Sequence, residues 1–520
     1  MAARVTTMLA MAAALAVPRV AAADPPPTSV VRYDGHQVLR VEPADEDELA
    51  QVLDLADDVW TERVGLGAPV DIRISPQGRA ALDITGISYE VRVADVQSAV
   101  DMERARLVAT HDPASASEWF DDFRDWNAIN AYMDTLAALD PELVTIESVG
   151  MSLEGREIRA LRLNSPAATG KAAMIISGTM HAREWLSPMT VMCIAETLVN
   201  DYGADSDTTS LLDALDLVIV PVLNPDGYVY SWQAERYWRK NRRGGYGVDL
   251  NRNWDYQWGG QGASNNPNDE NFHGEGPLSE PESQALASYI EGFDHAVAHL
   301  DFHSYSELIL YPWGYQFGAA PDEGMLSMLA GQMSSAIQGT HRHYSSPIQG
   351  SDLYPAAGVV DDWSYGVHDM MSFTVELRGN DFVIPPSEIV PTCEENLAAV
   401  MVLAQWASEQ ADPVPTSGDD DGGASDDGLD AGDDDDASAD GGAGDMGGDG
   451  IASDGGDEGP GGTAADGGAG GDGQPGALPP GFGGEGLPAG GCACTQGRQP
   501  MPPWWLMLGL LGLRRRRRAA

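Results

Sequence analysis

The stretch Ala172–Trp185 reads AAMIISGTMHAREW. A run of small and apolar residues followed by an abrupt change to polar ones is the pattern of a fully buried strand. It ends where chemistry becomes possible. The pattern recurs: LDLVIVPVL, AVAHLDF and MSFTVEL alternate with the amphipathic segments PMTVMCIAETLVNDY, SEPESQALASYIEGF and CEENLAAVMVLAQWASEQ. Such alternation predicts an α/β domain over residues 119–410, a mixed, mostly parallel sheet with helices on both faces. Ligands in these folds gather beyond the carboxyl ends of strands. The polar residues collect there: TMHAREW after AAMIISG, HSYS after AVAHLDF, and Glu376-Leu377-Arg378 after MSFTV.

Upstream, residues 30–107 form a candidate unit of their own. QVLRVEP and VDIRISP alternate as strands, EDELAQVLDLADDVW has helical spacing, and ISYEVRVADVQSAVDMERARL runs from strand into helix. Two strand–helix–strand passages predict a small antiparallel α/β domain. Residues 108–118 then read as a linker.

The 520 residues carry a formal net charge of −50, unevenly spread. Residues 411–491 are almost wholly Gly, Asp, Ala, Pro and Ser, too poor in apolar side chains to offset ordering entropy, which predicts a disordered spacer. A Ca²⁺-binding reading of its Asp runs lacks the regular loop spacing of such sites. The folded part stays acidic without the spacer, which argues against nucleic acid as a partner.

Residues 1–23 carry Arg4, an apolar run and Ala21-Ala22-Ala23, the pattern of a cleaved secretory signal. Export is expected, with Asp24 as the new N-terminus. Residues 492–520 hold Cys492, Cys494, the apolar run Trp504–Leu513 and the block Arg514–Arg518. That run falls short of the roughly twenty residues that span a bilayer. The combination resembles the C-terminal sorting signals of myxobacterial surface proteins; the plainer reading is a marginal tail anchor. Either implies attachment at, or release from, a cell surface. Cys193 and Cys393 read as buried free thiols packing as small hydrophobes, with a disulfide as the alternative.

The polar ends of the strands supply the chemistry. His181 and Glu184 stand three apart, where a helical turn puts both on one face, and His303 could join them. Two His and one Glu with an open fourth position make a catalytic zinc set. Taken singly, every other signal has a plain explanation. RYWRKNRR, with Arg236 and Arg239, is a basic surface run; GVDLNRNW, with Asp249, Asn251 and Arg252, is a capped turn. Tyr305 is packing, and Glu376 is a strand-end carboxylate in an ion pair.

Together, HAREW, RYWRK, GVDLNRNW, HSYS, YPAAG-x-x-DDW and FTVEL, in this order, resemble the M14 family of zinc metallocarboxypeptidases over residues 119–410. Residues 30–107 resemble that family's inhibitory activation segment. The resemblance implies one Zn²⁺ held by His181, Glu184 and His303, with Asp249 bonded behind His181. It implies Glu376 as the base that takes a proton from water and passes it to the leaving amine. Arg239 would face the developing oxyanion, Asn251 and Arg252 would clamp the substrate carboxylate, and Tyr354 would close as a lid. Arg183 and Tyr305 match positions lining pockets for residues upstream of the cut. The partners implied are peptide or protein C-termini and the chain's own prodomain, released by cleavage near Arg104 or Arg106.

In this family the residue seven positions after the lid tyrosine floors the pocket for the terminal side chain. Here it is Asp361, and a recessed carboxylate favours Lys or Arg ends. Asp362 would point away and serve the structure. The alternatives are a broader or apolar-specific pocket in which Asp361 pairs with an arginine of this chain, a lytic enzyme acting on peptidoglycan peptides, and a silent binding protein on the same fold.

Overall fold

The computed structural model describes residues 29–61, 64–110, 119–343, 345–352 and 354–410. The leader, most of the linker, the spacer and the C-terminal segment lie outside them. Among the described residues no helix is long and apolar enough to cross a membrane.

The N-terminal domain runs β1 (Gln37–Val41), α1 (Glu46–Leu55), β2 (Asp58–Val59), β3 (Val70–Ile74), α2 (Pro76–Thr85), β4 (Tyr89–Val93) and α3 (Val96–Thr110). Its sheet has the order β2-β3-β1-β4 with every neighbour antiparallel. Leu39, Val41, Ile72, Ile74, Val52 and Leu82 close one core between sheet and helices. Two local signals set the helices. Asp45 caps α1 by accepting from the Glu48 amide. Ser75 caps α2, Pro76 occupies its first position, and Gly86 ends it at φ 82°. The helix predicted through Trp60 is shorter than expected: Ala56 turns extended, and Asp58–Val59 pairs instead as an edge strand on β3. At the other end α3 runs to Thr110, into the predicted linker.

The larger domain runs α4 (Trp126–Leu139), β5 (Val144–Met151), β6 (Glu157–Leu163), β7 (Ala172–Gly178), α5 (Leu186–Asp201), α6 (Ser206–Ala214), β8 (Leu215–Val220) and α7 (Pro225–Gln233). It continues with α8 (Pro281–Ile290), β9 (Ala296–Ser304), β10 (Leu308–Tyr311), α9 (Glu323–His341), β11 (Ser346–Gln349), α10 (Val360–His368), β12 (Met371–Leu377) and α11 (Ile389–Ser408). Eight strands follow the order β11-β10-β12-β9-β7-β8-β6-β5. The centre, β12-β9-β7-β8, is parallel, and antiparallel pairs appear towards both edges. Every residue of β7 and β8 is buried, as continuous apolar strands require when helices cover both faces. One core packs the sheet against α4, α5, α9 and α11, and a second against α8 and α10.

Cys193 on α5 and Cys393 on α11 are joined in a disulfide, not free thiols. The two helices lie side by side on one face of the sheet, bringing the Cα atoms to 5.9 Å across 200 residues of chain. That sequence distance is why the pairing was not readable beforehand. A cross-link closing so long a loop restricts the unfolded chain. Replacing both cysteines by serine should lower the unfolding free energy by about 2–4 kcal/mol in denaturant titrations, without changing the far-UV circular dichroism of the folded state.

Candidate active site

Three strand ends build the site. β7 ends at Gly178, and its continuation places His181 and Glu184 in a single turn before α5, tied by the Glu184 amide to the His181 carbonyl. The expected helical turn is thus one turn outside the helix. Next to β7, β9 carries His303. Next to β9, β12 carries Glu376, paired in register with His303. Parallel strands end on the same side, so one edge of the sheet gathers all four.

The ligand atoms converge. His181 Nδ1 lies 2.8 Å from Glu184 Oε1, His303 Nδ1 2.9 Å from His181 Nδ1, and His303 Nδ1 3.2 Å from Glu184 Oε2. All three residues are buried. Ligands about 2.0–2.1 Å from a tetrahedral Zn²⁺ stand about 3.3 Å apart, so this spacing fits the ion. The donors fit it too. Each ring's other nitrogen meets a carboxylate: His181 Nε2 lies 3.1 Å from Asp249 Oδ1, and His303 Nε2 lies 2.5 Å from Asp301 Oδ2. With both Nε2 hydrogens so used, the two Nδ1 atoms face each other, an arrangement that a shared cation, a proton or a metal ion, stabilises.

Electrostatics follow from burial and pairing. Burial alone would raise the Glu184 carboxyl, but the charges of His181 and His303 outweigh it and hold it far down, at about 2. Asp249 is likewise held well below the usual range, burial being overcome by Arg239 and His181. Burial would lower His303, yet Asp301 and Glu184 raise it well above an ordinary histidine.

Around the ligands stand the other expected residues. Arg239 donates to Asp249 Oδ2 at 2.9 Å, with its Nη1 3.2 Å from His181 Nδ1. Its carbonyl accepts from the Ala182 amide at 2.8 Å, which pins it to the His181 turn. RYWRK is no surface run, since Arg236 and Arg239 are both buried. The Asn251 side chain accepts from the Val360 amide at 2.9 Å and so seats the start of α10. Arg252 donates to the carbonyls of Gly262 and Asn251. At Gly358, φ is 75° and a Cβ would come within 2.5 Å of the Arg252 carbonyl oxygen, so only glycine lets the YPAAG loop lie on that arginine. Half-buried Tyr354 lines a cavity of about 500 Å³ with Arg239, Arg252 and Glu270. Asp361 is 1 % exposed in the first turn of α10. Asp362 accepts the amides of Gly314 and Tyr315, the structural role expected of it.

Arg183 and Tyr305 face the N-terminal domain. Arg183 donates to Asp58 at 3.1 Å and to the Val59 carbonyl, and it stacks on Phe382. The Tyr305 hydroxyl meets Asp71 at 3.2 Å. Arg236 binds Glu103 of α3 at 2.6 Å, and Trp60 packs on Tyr237 and Phe382. Sequence reasoning missed Asp58, Trp60, Glu103 and Asp301. The last had a signal, an Asp two residues before a candidate ligand on a strand, where alternation puts both on one face.

Fold and site together define a metallopeptidase in which a buried His–Glu–His set lies beneath an N-terminal cover. Residues 129–399 match the model of the zinc carboxypeptidases and residues 39–103 that of the carboxypeptidase activation peptide. Rat carboxypeptidase A1 is 36% identical over 394 residues, spanning 71% of this chain and 93% of that protein. Bovine carboxypeptidase B is 33% identical over 399 residues, spanning 72% and 94%. Among solved structures, thrombin activatable fibrinolysis inhibitor aligns with a TM-score of 0.67 at 30% identity, covering 72% of this chain and 100% of that one. Carboxypeptidase A from Helicoverpa armigera gives 0.65 at 30% identity, covering 73% and 99%. The chain belongs to the M14 zinc carboxypeptidases; it is a metallocarboxypeptidase with an activation peptide, and Zn²⁺ is its cofactor.

Because His303 is held protonated in the ion-free site, zinc must displace a proton, and acid must weaken binding. Apparent zinc affinity, measured by chelator competition, should fall about tenfold per pH unit on acidification while one proton is displaced. A pH-independent affinity between pH 5 and 8 would contradict the assignment.

Proposed function

We propose that the protein is an exported zymogen of a carboxypeptidase that removes Lys or Arg from the C-termini of peptides and proteins. The basic preference rests on Asp361, a buried carboxylate seven residues after Tyr354. At that position of the family's pocket a recessed carboxylate rewards a Lys or Arg side chain, and an apolar one would only desolvate the acid. Total identity does not separate the two specificities, since relatives named carboxypeptidase A1 and carboxypeptidase B lie at 36% and 33%. An apolar preference is the second reading, favoured by the A1 relatives.

In this reading His181, Glu184 and His303 hold the zinc, which supplies Lewis acidity towards the scissile carbonyl and makes water a better acid. Glu376, on the strand beside His303, takes the proton from the attacking water and returns it to the leaving amine. Arg239, fixed by Asp249, presents a guanidinium to the oxygen that gains charge. Asn251 and Arg252 take the terminal carboxylate, which is what restricts cleavage to chain ends. Tyr354 closes over the bound residue. Arg183 and Tyr305 contact residues upstream of the cut once the prodomain, 30–107, has left. The ion pairs Asp58–Arg183 and Glu103–Arg236 support a latch that occupies these positions before processing. Arg104 and Arg106 both sit in helix α3, so cleavage there requires its end to unwind. Attachment of residues 492–520 at a cell surface, beyond the spacer 411–491, completes the reading.

One comparison tests the core of this. The trypsin-processed chain should release C-terminal Arg from matched peptides far faster than Phe, and a zinc chelator should abolish both. Asp361→Ile should lower kcat/KM for Arg by about a hundredfold and raise it for Phe; an unchanged profile would remove Asp361 from the pocket. Glu376→Gln should lower kcat by about 10²–10⁴ with zinc retained, and equal turnover would refute the base. For the latch, Asp58→Asn combined with Glu103→Gln should raise the activity of the uncleaved chain towards a short peptide and leave that of the processed enzyme unchanged. No gain before processing would argue against it.

A further inference from the structure

Behind the zinc ligands a polar chain runs into the core. His299, Asp301 and His303 alternate along β9, so their side chains share one face of the sheet, and none is more than 1 % exposed. Asp301 Oδ2 lies 2.5 Å from His303 Nε2, and its Oδ1 lies 2.5 Å from Ser177 Oγ on β7. Ser177 Oγ is 2.9 Å from His299 Nε2, and His299 Nδ1 is 2.8 Å from Ser364 Oγ on α10.

The hydrogens in this chain have one consistent placement. Asp301 as a carboxylate only accepts, so Ser177 spends its single hydrogen on it and must itself accept from His299. His299 is neutral, its pKa pushed down to about 4 by burial. With its hydrogen on Nε2, its Nδ1 accepts from the Ser364 hydroxyl. The other oxygen of Asp301 receives the Nε2 hydrogen of His303, which turns the Nδ1 atom of that ring towards Glu184 and His181.

Asp249 does the same for His181 but divides itself between the Asn251 amide and Arg239. Among the described residues the ion partner of Asp301 is His303 itself. We infer that Asp301, backed by Ser177 and His299, is a positioning residue that fixes His303 as an Nδ1 zinc ligand and strengthens it as a donor. The site therefore rests on two carboxylate–histidine pairs of unequal character, one shared with an arginine and one not.

The test uses the full-length chain, stripped of metal and titrated with zinc against a chromophoric chelator, in parallel with the visible spectrum of the cobalt(II)-substituted protein. Asp301→Asn should weaken zinc binding about 10–100-fold and shift the cobalt bands. Ser177→Ala should do the same to a smaller extent. Glu394→Gln, which alters an exposed carboxylate of α11 bonded to His341, should leave both readouts in place. A purely structural role would lower the unfolding midpoint of the metal-free D301N protein while leaving its zinc affinity and cobalt spectrum at wild type, and that result overturns the inference. If D301N does not fold, Ser177→Ala decides. Weaker zinc binding with altered cobalt bands supports the role of Asp301, and wild-type values for both overturn it.

Discussion

Compensation of buried charge governs the centre of this molecule. Glu184, Asp249, Asp301 and Glu376 are all buried, and Arg239 and Arg252 act on Asp249. These carboxylates outnumber the guanidinium groups, which leaves a deficit of positive charge. An interior cannot hold that deficit cheaply, and a divalent ion removes it. Without the ion a proton on His303 takes up part of the load, which is why carboxylates hold that ring's pKa so high. The fold makes the cluster possible because β7, β9 and β12 run parallel and end together. Each contributes one or two polar residues just where its apolar run stops.

The N-terminal domain meets a second set of buried charges. Arg183 and Arg236 lie almost wholly inside, and a buried arginine stripped of its partner is strongly destabilising. In the full chain Asp58 and Glu103 supply those partners from β2 and α3. When the domain leaves, Arg236 keeps the carbonyls of Arg183 and Phe382 and the ring of Trp185 as partners. In the proposed function Arg183 would then meet substrate, so inhibition and recognition would draw on the same side chain, and a cover that binds there would mimic what it excludes. It roofs the metal cluster without filling it, for cavities of about 500 and 340 Å³ remain beside Tyr354 and Glu376.

The sequence made the sheet legible wherever a strand was buried on both faces. AAMIISG is β7 to the residue, and MSFTVEL is β12, because continuous apolar runs have one stable environment. The His–Glu–His set that could hold a metal ion was legible where its polarity interrupts such runs and, as a set, through the family resemblance. The elements that escaped depend on partners distant in the chain. Asp58–Val59 becomes a strand only because β3 offers it an edge, overriding a helical period. The disulfide joins residues 200 apart, and neither cysteine carries a local sign of the other. Asp301 was hidden by its neighbourhood: inside AVAHLDFHS it looks like one polar residue among several, and only the register with Ser177 reveals what it faces.

Helix α10 shows how these demands meet in one element. Asp361 and Asp362 occupy its first turn, where unpaired amides and the helix dipole favour negative charge. A carboxylate placed there, such as the one proposed to set specificity, is less costly to bury than one in mid-strand. Asp362 then spends both oxygens on the backbone of Gly314 and Tyr315, and Asn251 caps the same turn through the Val360 amide. The helix is held at its head by the loop that carries Asn251 and Arg252 and, a turn further on, by Ser364 against His299. Asp361 is therefore borne by an element tied to both that loop and β9. In the proposed function a pocket floor so anchored would demand a particular charge, because the substrate must adjust to it.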